Sequence, residues 1–201
     1  MSEELPVVHE WVEAALEGDQ RAFERLVEHY QTAVFNLAYR MLGEPQEAED
    51  AAQEVFLRAY ANLSRYDPER SFKTWLLSIA SNHCIDRLRK RRLTWLSIEE
   101  EEGASVHPSL VSATPGPEDA YLEQERSADM QALLAQLPPD YRLVVVLRYW
   151  YDMSYAEIAD ALQTSESAIK SRLFRARQTL AGLLEGRSVP ARTMAPVMEG
   201  S

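Results

Sequence analysis

The sequence predicts an all-α protein built as two small helical domains joined by a flexible acidic linker. Three observations carry this. Apolar residues recur at spacings of three and four through residues 1–93 and 128–185, and no period-two alternation bounded by hairpin signals interrupts them. Between Thr94 and Ser127 the helical periodicity lapses into the run Glu99 to Glu102, Gly103, Pro108 and Pro115-Gly116-Pro117. The charge also changes sign in blocks along the chain.

Composition sets the outer limits. With 201 residues, 46% hydrophobic and 26% charged, the chain can bury one ordinary core or two small ones, which excludes a membrane protein or a wholly disordered chain. The longest apolar run, Leu143 to Leu147, is too short for a bilayer, and Ser2, Glu3 and Glu4 do not open a signal peptide. A cytoplasmic protein without membrane insertion is expected. The single cysteine, Cys84, permits no internal disulfide and no cysteine-clustered zinc site.

A net charge of -11 argues against nucleic acid until its distribution is read. Residues 1–64 hold 4 Lys/Arg against 13 Asp/Glu, whereas residues 65–93 hold 8 against 3. Residues 94–127 swing back to 1 against 8, and residues 128–185 are nearly balanced at 6 against 7. An acidic surface, a basic block and an acidic spacer therefore follow one another. The spacer buries too little apolar surface to offset its ordering entropy, and residues 186–201 read as a loose tail.

In the first domain, helices are expected over His9 to Glu17, Gln20 to Leu42, Gln46 to Leu63 and Phe72 to about Arg92. Gly18-Asp19, Gly43-Glu44-Pro45 and Asp67-Pro68 separate them, and Ser71 is placed to cap the last. On the third helix Ala48, Ala51, Ala52, Val55, Ala59 and Leu63 form an apolar stripe. Opposite lie Asp50, Gln53 and Leu57, with Glu54 beside them. Single exposed leucines are ordinary, so a docking surface here needs support from context.

The fourth helix buries Phe72, Leu76, Ile79 and Ala80 and ends in Arg87, Arg89, Lys90, Arg91 and Arg92. Trp75, Ser78, Asn82 and Arg89 share another face. An aromatic ring to stack on, hydrogen-bonding groups for base edges and cations for phosphates are what single-stranded nucleic acid requires. Core packing remains an equal alternative for Trp75, and a basic helix end also complements the macrodipole.

In the second domain, Ser154 with Glu157 three residues on has the pattern of a capping box. Ile158, Ala159 and Leu162 give one helix its apolar edge, a break falls at Gln163-Thr164-Ser165, and Ile169, Leu173, Ala176 and Leu180 give the next helix its own. Ser165, Ser167, Lys170, Ser171, Arg172, Arg175 and Arg177 are left for solvent or DNA. Hydroxyls and cations on the first half of a second helix suit phosphate anchoring and major-groove reading. Phe174 faces outward, for packing on the helix from Leu143 to Tyr151 or for a thymine methyl.

The chain resembles the extracytoplasmic-function (ECF) group of sigma-70 family RNA polymerase sigma factors over residues 8–183. The resemblance rests on Asp50-Ala51-Ala52-Gln53-Glu54-Val55-Phe56, on Phe72-Lys73-Thr74-Trp75-Leu76 leading to Ala80-Ser81-Asn82, on Leu137-Pro138, and on Tyr155-Ala156-Glu157-Ile158-Ala159 with Lys170-Ser171-Arg172-Leu173. It implies a region 2-like bundle at 1–93, a linker at 94–127 and a region 4-like helix-turn-helix at 128–185. Asp50, Gln53, Glu54 and Leu57 would dock on the β′ clamp helices of core RNA polymerase, whose β subunit is a further partner. Lys73, Trp75, Ser78, Asn82, Arg87, Arg89 and Lys90, with the loop from about Ser64 to Arg70, would hold the melted minus-10 strand, Asn82 serving a flipped base. Ser165, Ser167, Lys170, Ser171, Arg172, Arg175 and Arg177 would read the minus-35 duplex. The linker would thread polymerase channels, and an anti-sigma factor is an implied partner.

Two rivals fit less well. A dimeric helix-turn-helix regulator leaves the aromatic, polar and basic helix unexplained, and no receiver-like βα pattern precedes the second domain. An enzyme would need a constellation that His83-Cys84 and the scattered His9, His29 and His107 do not supply. No catalytic residue, metal or cofactor is expected.

Overall fold

The computed structural model describes residues 6–68, 70–102 and 128–187, all of them helical or in the turns between helices. Four helices make the first group: α1 Pro6–Leu16, α2 Gln20–Leu42, α3 Pro45–Ala61 and α4 Phe72–Glu102, with a 3₁₀ turn at Leu63–Arg65. The second group is α5 at 128–135, α6 Pro139–Trp150, α7 Tyr155–Ala161 and α8 Glu166–Arg187.

Local chemistry sets the boundaries. Asp19 accepts from the Arg21 backbone N–H at 2.9 Å to start α2, and Gly43, at φ 90°, ends it by donating to the Tyr39 carbonyl. Pro45 opens α3 at a position where its missing N–H costs nothing. Ser71 caps α4 through the Thr74 N–H at 3.3 Å, as its sequence position predicts. The stripe of Ala48, Ala51, Val55 and Ala59 is fully buried, and its small side chains let α3 lie close against α2 and α4.

Two features differ from the sequence reading. First, α4 does not end near Arg92 but runs on to Glu102, into the acidic segment whose composition predicts the start of the linker. No breaker occurs before Gly103, and leucine and glutamate are good helix formers, so propensity carries the helix through a stretch without a clear apolar face. The rest of the linker, 103–127, and the tail beyond Arg187 lie outside the described residues. Second, the two helical groups pack against each other: α6 touches α2 and α4, and α7 touches α4, so that one contiguous buried cluster runs from Val8 to Ala176. Leu26, Leu37, Phe72, Leu143 and Ile158 all lie in it, each contributing about 1.5–3 kcal/mol by burial.

Candidate nucleic-acid interface

The turn before α4 is tied by Tyr66, whose hydroxyl donates to the Arg70 carbonyl and whose ring lies 5.5 Å from Phe72 and 5.2 Å from Trp75. Trp75 is half-buried: one side of its indole packs on these two rings, and it also lines a small pocket with Arg70, Thr74 and Ser78. Trp75 therefore packs in the core on one side and leaves the rest of its ring only partly covered. Ser78 donates to the Trp75 carbonyl at 2.7 Å, while Asn82, Arg89 and Lys90 are exposed and Lys73 and Arg87 half-buried along the helix. Arg89 lies 3.9 Å from Asp86, an exposed and weak pairing.

The second domain presents its own surface. The Ser154 hydroxyl accepts from the Glu157 N–H at 3.1 Å while the Glu157 carboxylate accepts from the Ser154 N–H at 2.7 Å, which closes the capping box. Hydrogen bonding from Ser154, chiefly from its hydroxyl, holds the Glu157 carboxyl below the usual carboxylate range more than any nearby charge does. Gln163, at φ 50°, turns the chain between α7 and α8, and Ser165 caps α8 through the Ala168 N–H at 3.2 Å. Ser167, Lys170, Ser171, Phe174 and Arg175 are exposed on one side of α8, with Arg172 half-buried. Lys170 lies 3.5 Å from Glu166 and 5.7 Å over the Tyr155 ring, and Arg175 donates to the Tyr141 hydroxyl at 3.3 Å. Phe174 is 56% exposed.

On α3, Asp50 and Gln53 are exposed and Leu57 is 66% exposed. Glu54 is held by Arg58 at 2.7 Å, and that hydrogen bond lowers its pKa. Gln53 and Leu57 form one lip of an apolar groove of about 750 Å³ whose walls include Phe23, Val27, Phe35, Phe56 and Tyr60.

Comparison with known proteins identifies the family. The family model described as Sigma-70 region 2 matches residues 26–94, and that described as Sigma-70, region 4 matches residues 127–180. The chain is 40% identical over 166 residues to the ECF RNA polymerase sigma factor SigW of Bacillus subtilis (strain 168), covering 81% of this chain and 89% of that one. It is 35% identical to the RNA polymerase sigma-H factor of Pseudomonas aeruginosa, covering 84% and 89%. The chain belongs to the ECF group of the sigma-70 family. Among solved structures, CnrH in complex with the cytosolic domain of CnrY superposes with a TM-score of 0.66 at 28% identity, over 90% of this chain and 99% of that one.

The protein is thus a sigma factor, a DNA-binding subunit that directs RNA polymerase to promoters, and not an enzyme. His83 and Cys84 are both buried core residues: burial pushes the Cys84 thiol up to about 12 and the His83 imidazole down. Among the described residues no helix is long and apolar enough to cross a membrane, and no group of ligands could hold a metal ion.

Three features of the sigma factor escaped the sequence reading. The groove depends on α2 for one wall, which no local pattern on α3 could reveal. Arg91, read as part of the basic run, instead lies 3.2 Å from Glu47 and donates to the Leu42 carbonyl at 3.4 Å, so it braces α4 on the first domain. Arg177 lines a second apolar groove of about 260 Å³ with Met130, Tyr149, Trp150, Leu180 and Leu184.

Proposed function

We propose that α4 reads the melted minus-10 strand through Lys73, Trp75, Ser78, Asn82, Arg87, Arg89 and Lys90, with the turn at Leu63–Arg65 and Arg70 at its edge. The observation that carries this reading is the half-buried Trp75, packed on Tyr66 and Phe72 with the Thr74 and Ser78 hydroxyls and Arg70 beside its other side. A rigid aromatic wall with hydroxyls and a guanidinium around it suits an unstacked base and its phosphate. Duplex DNA would need the hydroxyls and cations alone, and those are what α8 offers through Ser165, Ser167, Lys170, Ser171, Arg172, Arg175 and Arg177 for the minus-35 element.

Asp50, Gln53, Glu54 and Leu57 dock on the β′ clamp helices, and the exposed Leu57 at the lip of an apolar groove supports this as an anchor in a polar surround. The β subunit is a further contact. Residues 1–93 form the docking and melting unit, 94–127 the connection, 128–185 the duplex reader and 186–201 a tail. The protein acts in the cytoplasm. The likeness to CnrH, solved with the cytosolic domain of CnrY, supports control by an anti-sigma factor.

The test is run-off transcription by core RNA polymerase on a library of genomic fragments, with and without the purified chain, followed by sequencing of transcript 5′ ends. Discrete start sites sharing two upstream motifs are expected only when the chain is present. Unchanged, scattered starts would reject the reading.

A further inference from the structure

The cations of α8 are held in different ways. Lys170 lies 3.5 Å from Glu166 on its own helix, and the Arg177 Nε donates to the Leu173 carbonyl of the same helix at 3.4 Å. Arg175 instead donates from Nη1 to a side chain on another helix, the Tyr141 hydroxyl of α6, at 3.3 Å across 34 residues of sequence. Among the described residues no carboxylate lies within ion-pair distance of Arg175. Its pKa is raised, and the Tyr141 hydrogen bond is the chief cause.

Tyr141 makes a firm anchor. It stands in the first turn of α6, where Pro138 and Pro139 restrict the backbone and its own N–H donates to the Pro138 carbonyl at 2.9 Å. Its ring is half-buried and packed against the core. A tyrosine has only two side-chain torsions, and packing of the ring settles both, so the hydroxyl oxygen occupies a nearly fixed point. Arg175 is the opposite case. It is exposed and reaches its guanidinium through a long run of torsions, whose lost freedom must be offset by whatever the group binds.

The hydroxyl oxygen takes one of the five N–H donors of the guanidinium and leaves the rest for a ligand. Two parallel donors are what the O6 and N7 acceptors of guanine require in the major groove. A plane ordered beforehand costs less at the moment of binding, and it favours only the base whose acceptors lie in that plane. A contact to phosphate would gain no sequence preference from the same anchor, because phosphates carry no sequence information.

We propose that Tyr141, outside the helix-turn-helix of α7 and α8, is a positioning residue for minus-35 discrimination: its hydroxyl fixes the plane in which Arg175 meets a guanine edge. The inference rests on the reading of α8 given above. It adds to the residues that decide which promoters are chosen one that itself touches no base. The two parts of this side chain then have separate roles, since the ring serves the fold and the hydroxyl serves recognition.

The test uses holoenzyme assembled from core RNA polymerase and the full-length chain. Its ligands are a promoter fragment obtained from the run-off experiment and derivatives in which each minus-35 base pair is replaced in turn. Competition binding is measured for the unaltered chain, Tyr141→Phe, Arg175→Ala and the double variant. Phenylalanine keeps the ring, so the melting temperature should stay unchanged. Tyr141→Phe should weaken binding to the best fragment by about threefold to tenfold, as loss of one intramolecular hydrogen bond allows. That loss should vanish on the fragment altered at the base pair Arg175 reads, which narrows discrimination there and at no other pair. The salt dependence should not change, because no charge is removed. On the Arg175→Ala background Tyr141→Phe should have no further effect. A uniform loss across all fragments, an equal loss on the Arg175→Ala background, or unchanged discrimination in Tyr141→Phe would each overturn the positioning role. Arg175→Ala tests the reading beneath it. If that variant flattens discrimination while Tyr141→Phe does not, α8 keeps its base reader and only Tyr141 is rejected. If Arg175→Ala weakens all fragments alike, Arg175 is no base reader and the role of Tyr141 falls with it.

Discussion

The guanidinium of Arg142, on α6 of the second domain, donates to the carbonyl of Met41 in the last turn of α2, 101 residues away in sequence. It also donates to the Ala135 carbonyl at 3.0 Å and the Leu137 carbonyl at 3.4 Å, with no carboxylate among these partners. A helix leaves its last four carbonyls without partners of its own. In α2 all four are met: Tyr39 by Gly43 and Gln131, Arg40 by Gln131, Met41 by Arg142 and Leu42 by Arg91. Cations gather where the macrodipole is negative. Burial lowers the Arg142 pKa to about 10, so the group is charged at neutral pH despite being 8% exposed.

Arg142→Ala should therefore destabilise the chain by about 1–3 kcal/mol, the range for losing hydrogen bonds to a charged donor and stranding their acceptors. Urea unfolding monitored by circular dichroism measures it. Arg142→Met should recover part of the loss, because it keeps the packing and removes the cost of burying the charge.

Leu57→Glu should abolish retention of the chain on immobilised core RNA polymerase, weakening association at least about tenfold as expected for a central anchor. Because Leu57 is 66% exposed, the far-ultraviolet circular dichroism spectrum and the melting temperature should stay unchanged. Retention equal to that of the unaltered chain would reject the docking face on α3.

Alkaline stability should depend on Cys84. Its thiol would lose a proton near pH 9.0 in the unfolded chain but keeps it to about 12 when buried. A group raised in this way gives full stability below its unfolded pKa, and that stability is lost as pH rises toward the folded value. About 1.4 kcal/mol should disappear between pH 8 and pH 10, and Cys84→Ala should flatten that slope whatever its effect at neutral pH. Tyr151, also pushed up mainly by burial, adds its own loss above pH 10. Arg142 opposes both there, since its lowered pKa means that the folded chain sheds a proton the unfolded chain keeps. Between pH 9 and 10 the Tyr151 and Arg142 contributions run in opposite directions and largely cancel, which leaves the thiol as the main source of the slope.

Much of this was legible because it is local. The Ala48, Ala51, Val55 and Ala59 stripe, the caps at Ser71 and Ser154 and the turn at Gln163 each depend on a few consecutive side chains, and a short window contains them. What was hidden depends on partners far away in sequence. Leu57 could be seen to face outward, but not that Phe23 and Phe35 of α2 build the groove beside it. Arg91 belongs by composition to a basic run, yet its position over Glu47 and Leu42 turns it into a brace. Periodicity marks which face of a helix is apolar without naming what will cover it, so the docking of α6 and α7 on the first domain left no local trace.

Ser154→Ala should lower stability by about 1 kcal/mol through loss of the α7 cap, read by urea unfolding. The Ser154 hydroxyl is also the chief cause of the lowered Glu157 carboxyl, and a lowered carboxylate contributes stability above its unfolded pKa that fades as pH falls through the folded one. The difference between wild type and Ser154→Ala should accordingly shrink below about pH 4.5, the ordinary value for the group.

Two cations on α8 should fail in different ways when removed. The Arg175 guanidinium is steadied by the Tyr141 hydroxyl, and a guanidinium held in a fixed plane can meet a guanine edge with two hydrogen bonds. Arg175→Ala should cost about 1–3 kcal/mol on the best minus-35 sequence and little on poor ones, which flattens the ranking of promoters. Lys170 stands between Glu166 and the Tyr155 ring and offers a point charge without a fixed plane. Its loss should weaken all sequences alike and reduce the salt dependence of binding by about 0.9 in the logarithmic slope, the share of one phosphate. Both are measured with the holoenzyme on a panel of minus-35 variants at several salt concentrations. A sequence-dependent loss for Lys170→Ala, or a uniform one for Arg175→Ala, would reverse the two roles.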